Sequence, residues 1–304
     1  MRILVTGATG TIGRAVVEAV RARGDVVVAT TRDPDRGRRV LGADVEIHAW
    51  PDPTTAPPPA AALRAHAIVH LLGEPLDQRW TDEARRRIRD SRVQATAQLV
   101  AGIAGLASDE RPATLVSQSA VGYYADRGDT RLDESAAAGE GWLAELVVDW
   151  ESAARAAPQN VRVVTTRTGV VLSPSGGALA KMLPFFRLGL GGPVAGGRQY
   201  VPWIHLQDVV GGLLTCVDDA RANGAVNLAA PEPVTNRDLS TALGRVLHRP
   251  TILPVPGLAV KLLYGEMAQL VTSGQRAVPA ALAGLGYRFA HADVEVALRD
   301  VLEG

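Results

Sequence analysis

Residues 1–13 read MRILVTGATGTIG, and this stretch decides the fold. Ile3, Leu4 and Val5 are small or branched apolar residues that suit a buried strand. They run directly into Gly7, Gly10 and Gly13, after which Ile12–Arg23 carries the pattern of a helix. Strand, glycine turn and helix in that order form the context in which a dinucleotide fingerprint has meaning. Glycine lets the chain turn tightly and lets a phosphate approach the main chain. The helix N-terminus then offers unpaired N–H groups and a positive dipole end to a pyrophosphate. The spacing is Gly-x-x-Gly-x-x-Gly, where the commoner form is Gly-x-Gly-x-x-Gly. The expected phosphate-binding residues are Gly7, Thr9, Gly10, Thr11, Ile12 and Gly13; the competing reading is an ordinary glycine-rich turn.

Working outward, short apolar strands alternate with helical patterns. Strands are expected at Ile3–Val5, Val26–Thr30, Ala67–Leu72, Thr114–Ser117, Val161–Arg167 and Val226–Ala229. Helices are expected near 12–23, 82–105, 142–157 and 206–219. Continuous apolar strands separated by helices specify an α/β protein, a Rossmann-type doubly wound parallel sheet. Gly24 is placed to end the first helix. The proline-rich Pro51–Pro59 suits a surface connection, and Ser173–Gly197 reads as a long glycine-rich loop of functional type. After residue 230 the chain turns mainly helical, with Thr235 a candidate N-cap. The expected division is a dinucleotide-binding domain over 1–230 and a small helical substrate-side module over 231–304.

Composition narrows the classes. The chain of 304 residues is 47% hydrophobic and 21% charged with net charge zero, which suits a globular core and gives nucleic acid or an anionic membrane no attraction. Its single cysteine, Cys216, sits in an apolar stretch and excludes an internal disulfide. No apolar run approaches the roughly 18 residues of a membrane span, and no signal or lipidation motif is present. The expectation is a cytoplasmic protein. Histidines, the cysteine and the acidic residues show no metal-ligand spacing, and there is no nucleophile elbow.

The tip of the second strand bears on which dinucleotide binds. A carboxylate there holds the ribose 2′-OH of NAD, but this strand ends in Thr31-Arg32. A forked, permanently charged guanidinium suits the 2′-phosphate of NADP. Asp33 follows and argues the other way. NADP is the expected cofactor.

Several ordered motifs go further. Gly7–Gly13, HLLG (His70–Gly73), SRVQAT (Ser91–Thr96), SQSAVGYY (Ser117–Tyr124), RTGVVL (Arg167–Leu172) and WIHLQD (Trp203–Asp208) resemble the extended short-chain dehydrogenase/reductases in sequence order. Within them, GGALAKM, FRLGLGGPV and GQRAVPAALAGLGYRF are similar to the atypical epimerase-like subgroup, whose members go under the names sugar-nucleotide epimerase and SulA-type division protein. The resemblance covers essentially the whole chain. It implies that Leu71, Leu72 and Gly73 lie against the adenine side of the cofactor, that Val171 lines its site, and that Arg87 and Arg92 are further candidate cations. It also allows a homodimer.

That resemblance makes one absence informative. Ordinary members use Tyr-x-x-x-Lys, in which the lysine lowers the phenol pKa toward neutrality. Here Tyr123, Tyr124, Tyr200, Tyr264 and Tyr287 are followed four residues later by Arg127, Gly128, Ile204, Ala268 and His291. Aligning Glu151 with the family's usual glutamate puts Leu143 and Val147 in the catalytic places. Ser119 matches the serine that binds the reacting carbonyl. Tyr123 or Tyr124 could donate a proton, and Lys181, one of two lysines, could supply the missing cation. Gln199 and Trp203 complete the expected pocket, while His205 and Asp208 read as structural. The leading expectation is an NADP(H)-dependent oxidoreductase, slow or specialised, acting on a small carbonyl or enone. A non-catalytic NADP(H) sensor is the alternative, and a sugar-nucleotide epimerase the third.

Overall fold

The first strand, β1 (Arg2–Thr6), explains why the sheet is covered on both faces. Ile3 and Val5 pack into one apolar cluster with Val16 and Val20 of the Thr11–Ala22 helix and Leu213 of the Leu206–Asp218 helix. Leu4 points the other way, to Leu99 and Ile103 of the Val93–Ala104 helix. Successive strand side chains face opposite sides, so an unbroken apolar strand needs two helical layers. Truncating a buried leucine such as Leu99 to alanine would cost about 2–5 kcal/mol.

The remaining strands of this sheet are β2 (Val26–Thr31), β3 (Glu46–Ala49), β4 (Ala67–His70), β5 (Thr114–Ala120), β6 (Arg162–Thr168) and β7 (Gly224–Leu228). Their order is β7-β6-β5-β4-β1-β2-β3, with every pairing parallel. This computed structural model describes residues 1–303. The order reverses between β1 and β4, and ligands of open α/β sheets bind at the carboxyl end of such a switch point. Cys216, on the Leu206–Asp218 helix, is fully buried in the apolar layer on one face of the sheet, and burial pushes its thiol up to about 12.

Three local expectations differ from the structure. Strand β3 was not foreseen, because EIHA has no apolar run; it is an edge strand held by Glu46, whose carboxylate pairs with Arg2 and His48. The helix expected over 82–105 is two helices, Asp82–Asp90 and Val93–Ala104. Ser91 Oγ and Arg92 Nη1 both donate to the Ile88 carbonyl, and Arg92 N turns back to Arg89, which interrupts the ladder. The glycine-rich 173–197 segment is no structureless loop, since Gly177–Arg187 is a helix whose Leu179, Leu183 and Phe186 are buried. Periodicity was present there, masked by the flanking glycines.

Beyond residue 230 come helices Asn236–Val246, Gly257–Tyr264 and Val294–Glu303, with shorter turns between them. Thr235 caps the first through a reciprocal box with Asp238. Two-residue strands return this segment to the larger body: Val234–Thr235 pairs with Tyr200–Val201, and Arg276–Ala277 with Arg131–Leu132.

Candidate active site

Backbone sterics fix the glycine turn. Gly7 has φ +66°, and a Cβ there would lie 2.7 Å from the Leu71 carbonyl oxygen; one on Gly13 would lie 2.2 Å from the Gly7 oxygen. Gly10 stands in extended conformation at the start of the Thr11–Ala22 helix with no side chain capping it. The first helical amides are therefore left to an anion, the cradle that a dinucleotide pyrophosphate fits. Thr11 packs against Gly176, where a Cβ would fall 2.7 Å from its hydroxyl. Beneath the turn, His70 is fully buried between the hydroxyls of Thr6 (2.8 Å) and Thr96 (3.0 Å), and Thr6 Oγ1 also accepts from Leu71 N. Burial pushes the imidazole down to about 3, so it bridges as a neutral ring and fixes the Leu71 backbone against Gly7.

At the β2 tip the two competing residues separate. Asp33 Oδ1 accepts from Arg36 N at 3.0 Å and caps the Pro34–Leu41 helix, so this carboxylate is engaged. Thr31 Oγ1 accepts from Asp33 N. Arg32 is exposed and makes no ion pair among the described residues. Arg87 is committed elsewhere, to Glu83 and Gln78 at 2.9 Å each. Arg92 lies against Gly73, donates through Nη1 to the Glu74 and Ile88 carbonyls, and stacks 5.2 Å over Trp150. Burial brings it down to about 10, which leaves it charged at neutral pH.

Two adjoining cavities open at the carboxyl ends of β4, β5 and β6. The smaller, about 240 Å³, is walled by Leu71–Gly73, Arg92, Ser119, Leu143, Val147 and Val171. The larger, about 1480 Å³, shares Arg92, Leu143, Gly169 and Val171 and reaches Thr11, Ile12 and Gly176 on one side and Lys181 on the other. Leu143 and Val147 thus face Ser119 from the Trp142–Arg155 helix, where the tyrosine and lysine of the usual dyad are expected. The place is apolar.

The polar chemistry lies one layer behind. Ser119 Oγ donates to Glu151 Oε1 at 2.7 Å, and Arg167 grips the same carboxylate through Nε (2.8 Å) and Nη2 (3.0 Å). Burial works to raise the Glu151 pKa, but Arg167, Ser119 and Arg155 outweigh it and hold the group below the usual carboxylate range. Arg167 Nη1 donates to Tyr124 Oη, which donates to Asn227 Oδ1 at 2.7 Å. Sequence reasoning missed this cluster, although a fully charged arginine in the buried stretch Val164–Thr168 was its visible sign.

Several expected roles shift accordingly. Ser119 spends its one hydrogen on Glu151, so toward the cavity it accepts where the resemblance implied a donor. Tyr123 lies 3.4 Å under the Arg167 guanidinium and Tyr124 is fully buried, its phenol pushed up by burial; neither lines the cavities. Lys181 does line the larger one, but its Nζ pairs with Asp77 Oδ2 at 2.5 Å. Gln199 braces the Val194 and Val271 carbonyls, and Trp203 is wholly buried with its indole on the Glu232 carbonyl.

His205, His291 and Asp300 converge in space, a juxtaposition that spacing along the chain did not show. His205 Nδ1 accepts from Gln207 N as a helix cap, so its proton sits on Nε2 toward Asp300 at 3.2 Å. That is a hydrogen-bonded latch. Its neighbour Asp208 is buried and accepts from Ala290 N, His291 N and Tyr287 Oη, fastening the C-terminal segment.

A dinucleotide cradle on a parallel sheet, with an open pocket at the switch point, defines a nucleotide-binding α/β protein. The chain belongs to the NAD dependent epimerase/dehydratase family, whose model matches residues 3–229; a domain of unknown function (DUF1731) matches 255–301. It is 41% identical over 299 residues to epimerase family protein Mb2239 of Mycobacterium bovis, covering 97% of this chain and 96% of that one. The crystal structure of human epimerase family protein SDR39U1 (isoform 2) with NADPH superposes with TM-score 0.90 at 31% identity, over 100% of this chain and 99% of that chain. A nucleoside-diphosphate sugar epimerase from Corynebacterium glutamicum matches at TM-score 0.75 and 30% identity, over 99% of this chain and 58% of its own. No helix among the described residues is long and apolar enough to cross a membrane.

Proposed function

We propose that the protein is an NADP(H)-dependent oxidoreductase of the atypical extended type, acting on a small carbonyl or enone without a tyrosine–lysine pair. The observation that carries the cofactor assignment is the division of labour at the β2 tip: Asp33 is consumed as a helix cap and Arg32 is free. The human relative solved with NADPH supports it. When bound, the cofactor supplies the hydride.

The chain's own residues would orient and shield. The Gly7–Gly13 turn and the uncapped helix amides hold the pyrophosphate, and Arg92 adds a half-buried positive charge at the cavity floor. Leu143 and Val147 present hydrocarbon to the reacting face where the usual dyad would present a phenol and an ammonium. Ser119, polarised by Glu151, accepts a hydrogen bond from a ligand N–H or O–H. Neither Tyr123 nor Tyr124 lines the cavities, so the proton comes from solvent or from Tyr264, a phenol in the larger cavity's C-terminal wall, and turnover is slow. Apolar Leu143 and Val147 are also what a non-catalytic NADP(H) sensor would show, and that is the second reading. They leave an epimerase without a base.

The test is NADPH oxidation across a panel of carbonyls and enones. The oxidoreductase reading expects turnover with at least one member, reduced about tenfold or more by Ser119→Ala and within about threefold of the parent for Lys181→Ala, whose surface pair is worth under about 1 kcal/mol. NADPH binding with no turnover on any member selects the sensor.

A further inference from the structure

The outer wall of the larger cavity is built from hydrocarbon. The Gly177–Arg187 helix contributes Met182, Phe185 and Phe186, and the C-terminal segment contributes Val260, Leu263 and Met267. At about 1480 Å³ the space exceeds the roughly 300–1,000 Å³ of pockets for drug-sized ligands. It has room for the reactive end of a dinucleotide and a sizeable second molecule.

Two of its three cations are engaged, and two lining carboxylates, Asp126 and Glu140, make no ion pair among the described residues. Lys181 pairs with Asp77, Arg127 donates to the Ala138 carbonyl between Asp126 and Glu140, and Arg92 stays at the floor on two backbone carbonyls. A sugar nucleotide brings a diphosphate whose charges need guanidinium, ammonium or amide donors, and the only lining cation without a carboxylate or a second carbonyl to hold it is Arg127, in a wall that also carries the unpaired carboxylates Asp126 and Glu140. Meanwhile Phe185 is 56% exposed and Leu263 72% exposed, though both line the cavity. An apolar wall left open to water gains most from an apolar ligand, and methionines adapt their shape to it.

We infer that the substrate carries its carbonyl on a hydrocarbon chain, and that this chain lies between the Gly177–Arg187 and Gly257–Tyr264 helices. The inference rests on the oxidoreductase reading for the carbonyl, while the chain-binding wall stands on the cavity alone.

Calorimetric titration with 2-alkanones of about six to about fourteen carbons, with and without NADPH, tests it. Affinity should tighten about two- to fourfold per added methylene until the groove is filled. Leu263→Gln should flatten that dependence, whereas Leu262→Gln, exposed and outside the cavity lining, should keep it. UDP-glucose should not displace the bound ketone. An affinity independent of chain length, or displacement by UDP-glucose at lower concentration than by the ketones, overturns the inference. If NADPH fails to bind in a separate titration while the length dependence persists, the cofactor reading falls and this one stands.

Discussion

The two halves of the site are specified by different physics. On the cofactor side the backbone itself is the device: Gly7 and Gly13 have no room for a side chain, and the neutral His70 bridge holds Leu71 against the turn. On the substrate side the backbone is ordinary helix, and the surface is set by side chains such as Phe185 and Leu263 that stand partly in water. The first arrangement admits almost one ligand chemistry. The second admits a class of shapes, which is why a family can keep its dinucleotide and change its substrate.

The sharpest way to break this contrast is at the turn. Gly13→Val places atoms where the Gly7 carbonyl stands, and overpacking of that kind costs about 1–3 kcal/mol before any ligand is considered. NADPH affinity should fall by more than about a hundredfold, read by nicotinamide fluorescence, while the melting temperature drops by only a few degrees. A variant that binds NADPH like the parent would show that the cradle is not the site.

Next comes the buried cluster behind Ser119. Glu151→Gln leaves the Arg167 charge without its partner, and breaking a buried pair on one side costs about 3–5 kcal/mol. Denaturant unfolding should report that loss. Because folding lowers the Glu151 pKa, its contribution is present above its ordinary 4.5 and disappears as pH falls through the lower folded value. His70 acts in an adjacent window with the same outcome. Its folded value is near 3 against 6.5 unfolded, so the unfolded chain binds a proton that the folded one refuses. Stability should decline steadily from about pH 6.5 toward 3, and His70→Gln should remove most of that slope above pH 4.5 even if it lowers stability overall. A parent whose stability is flat between pH 6.5 and 4.5 would mean that the imidazole is not held neutral.

The same contrast explains what the sequence made legible. The glycine turn, the apolar strands and the loss of the tyrosine–lysine pair could be read directly, because each is a local residue choice with a steric or acid–base meaning. The family match over residues 3–229 and the sheet order agree with that reading. Strand β3 was invisible because an edge strand such as Glu46–Ala49 is held by polar pairs and carries no apolar run. The helix in 177–187 was hidden between glycines. Roles that depend on partners far along the chain were the hardest. In the sequence Lys181 reads as a spare cation, and the structure sets Asp77 beside it; Tyr123 reads as a proton donor, and Arg167 lies over its ring. Asp33 and Arg32 competed on paper, and only the capping bond to Arg36 separates them.

That separation underlies the central claim, and one titration tests it most directly. NADPH and NADH are titrated side by side into the unmodified chain and into Arg32→Ala. A charge-assisted contact to the 2′-phosphate is worth about 1.5–3 kcal/mol, so NADPH should bind the parent at least about tenfold more tightly, and Arg32→Ala should erase that preference while leaving NADH affinity unchanged. Equal or tighter binding of NADH by the parent would contradict the account.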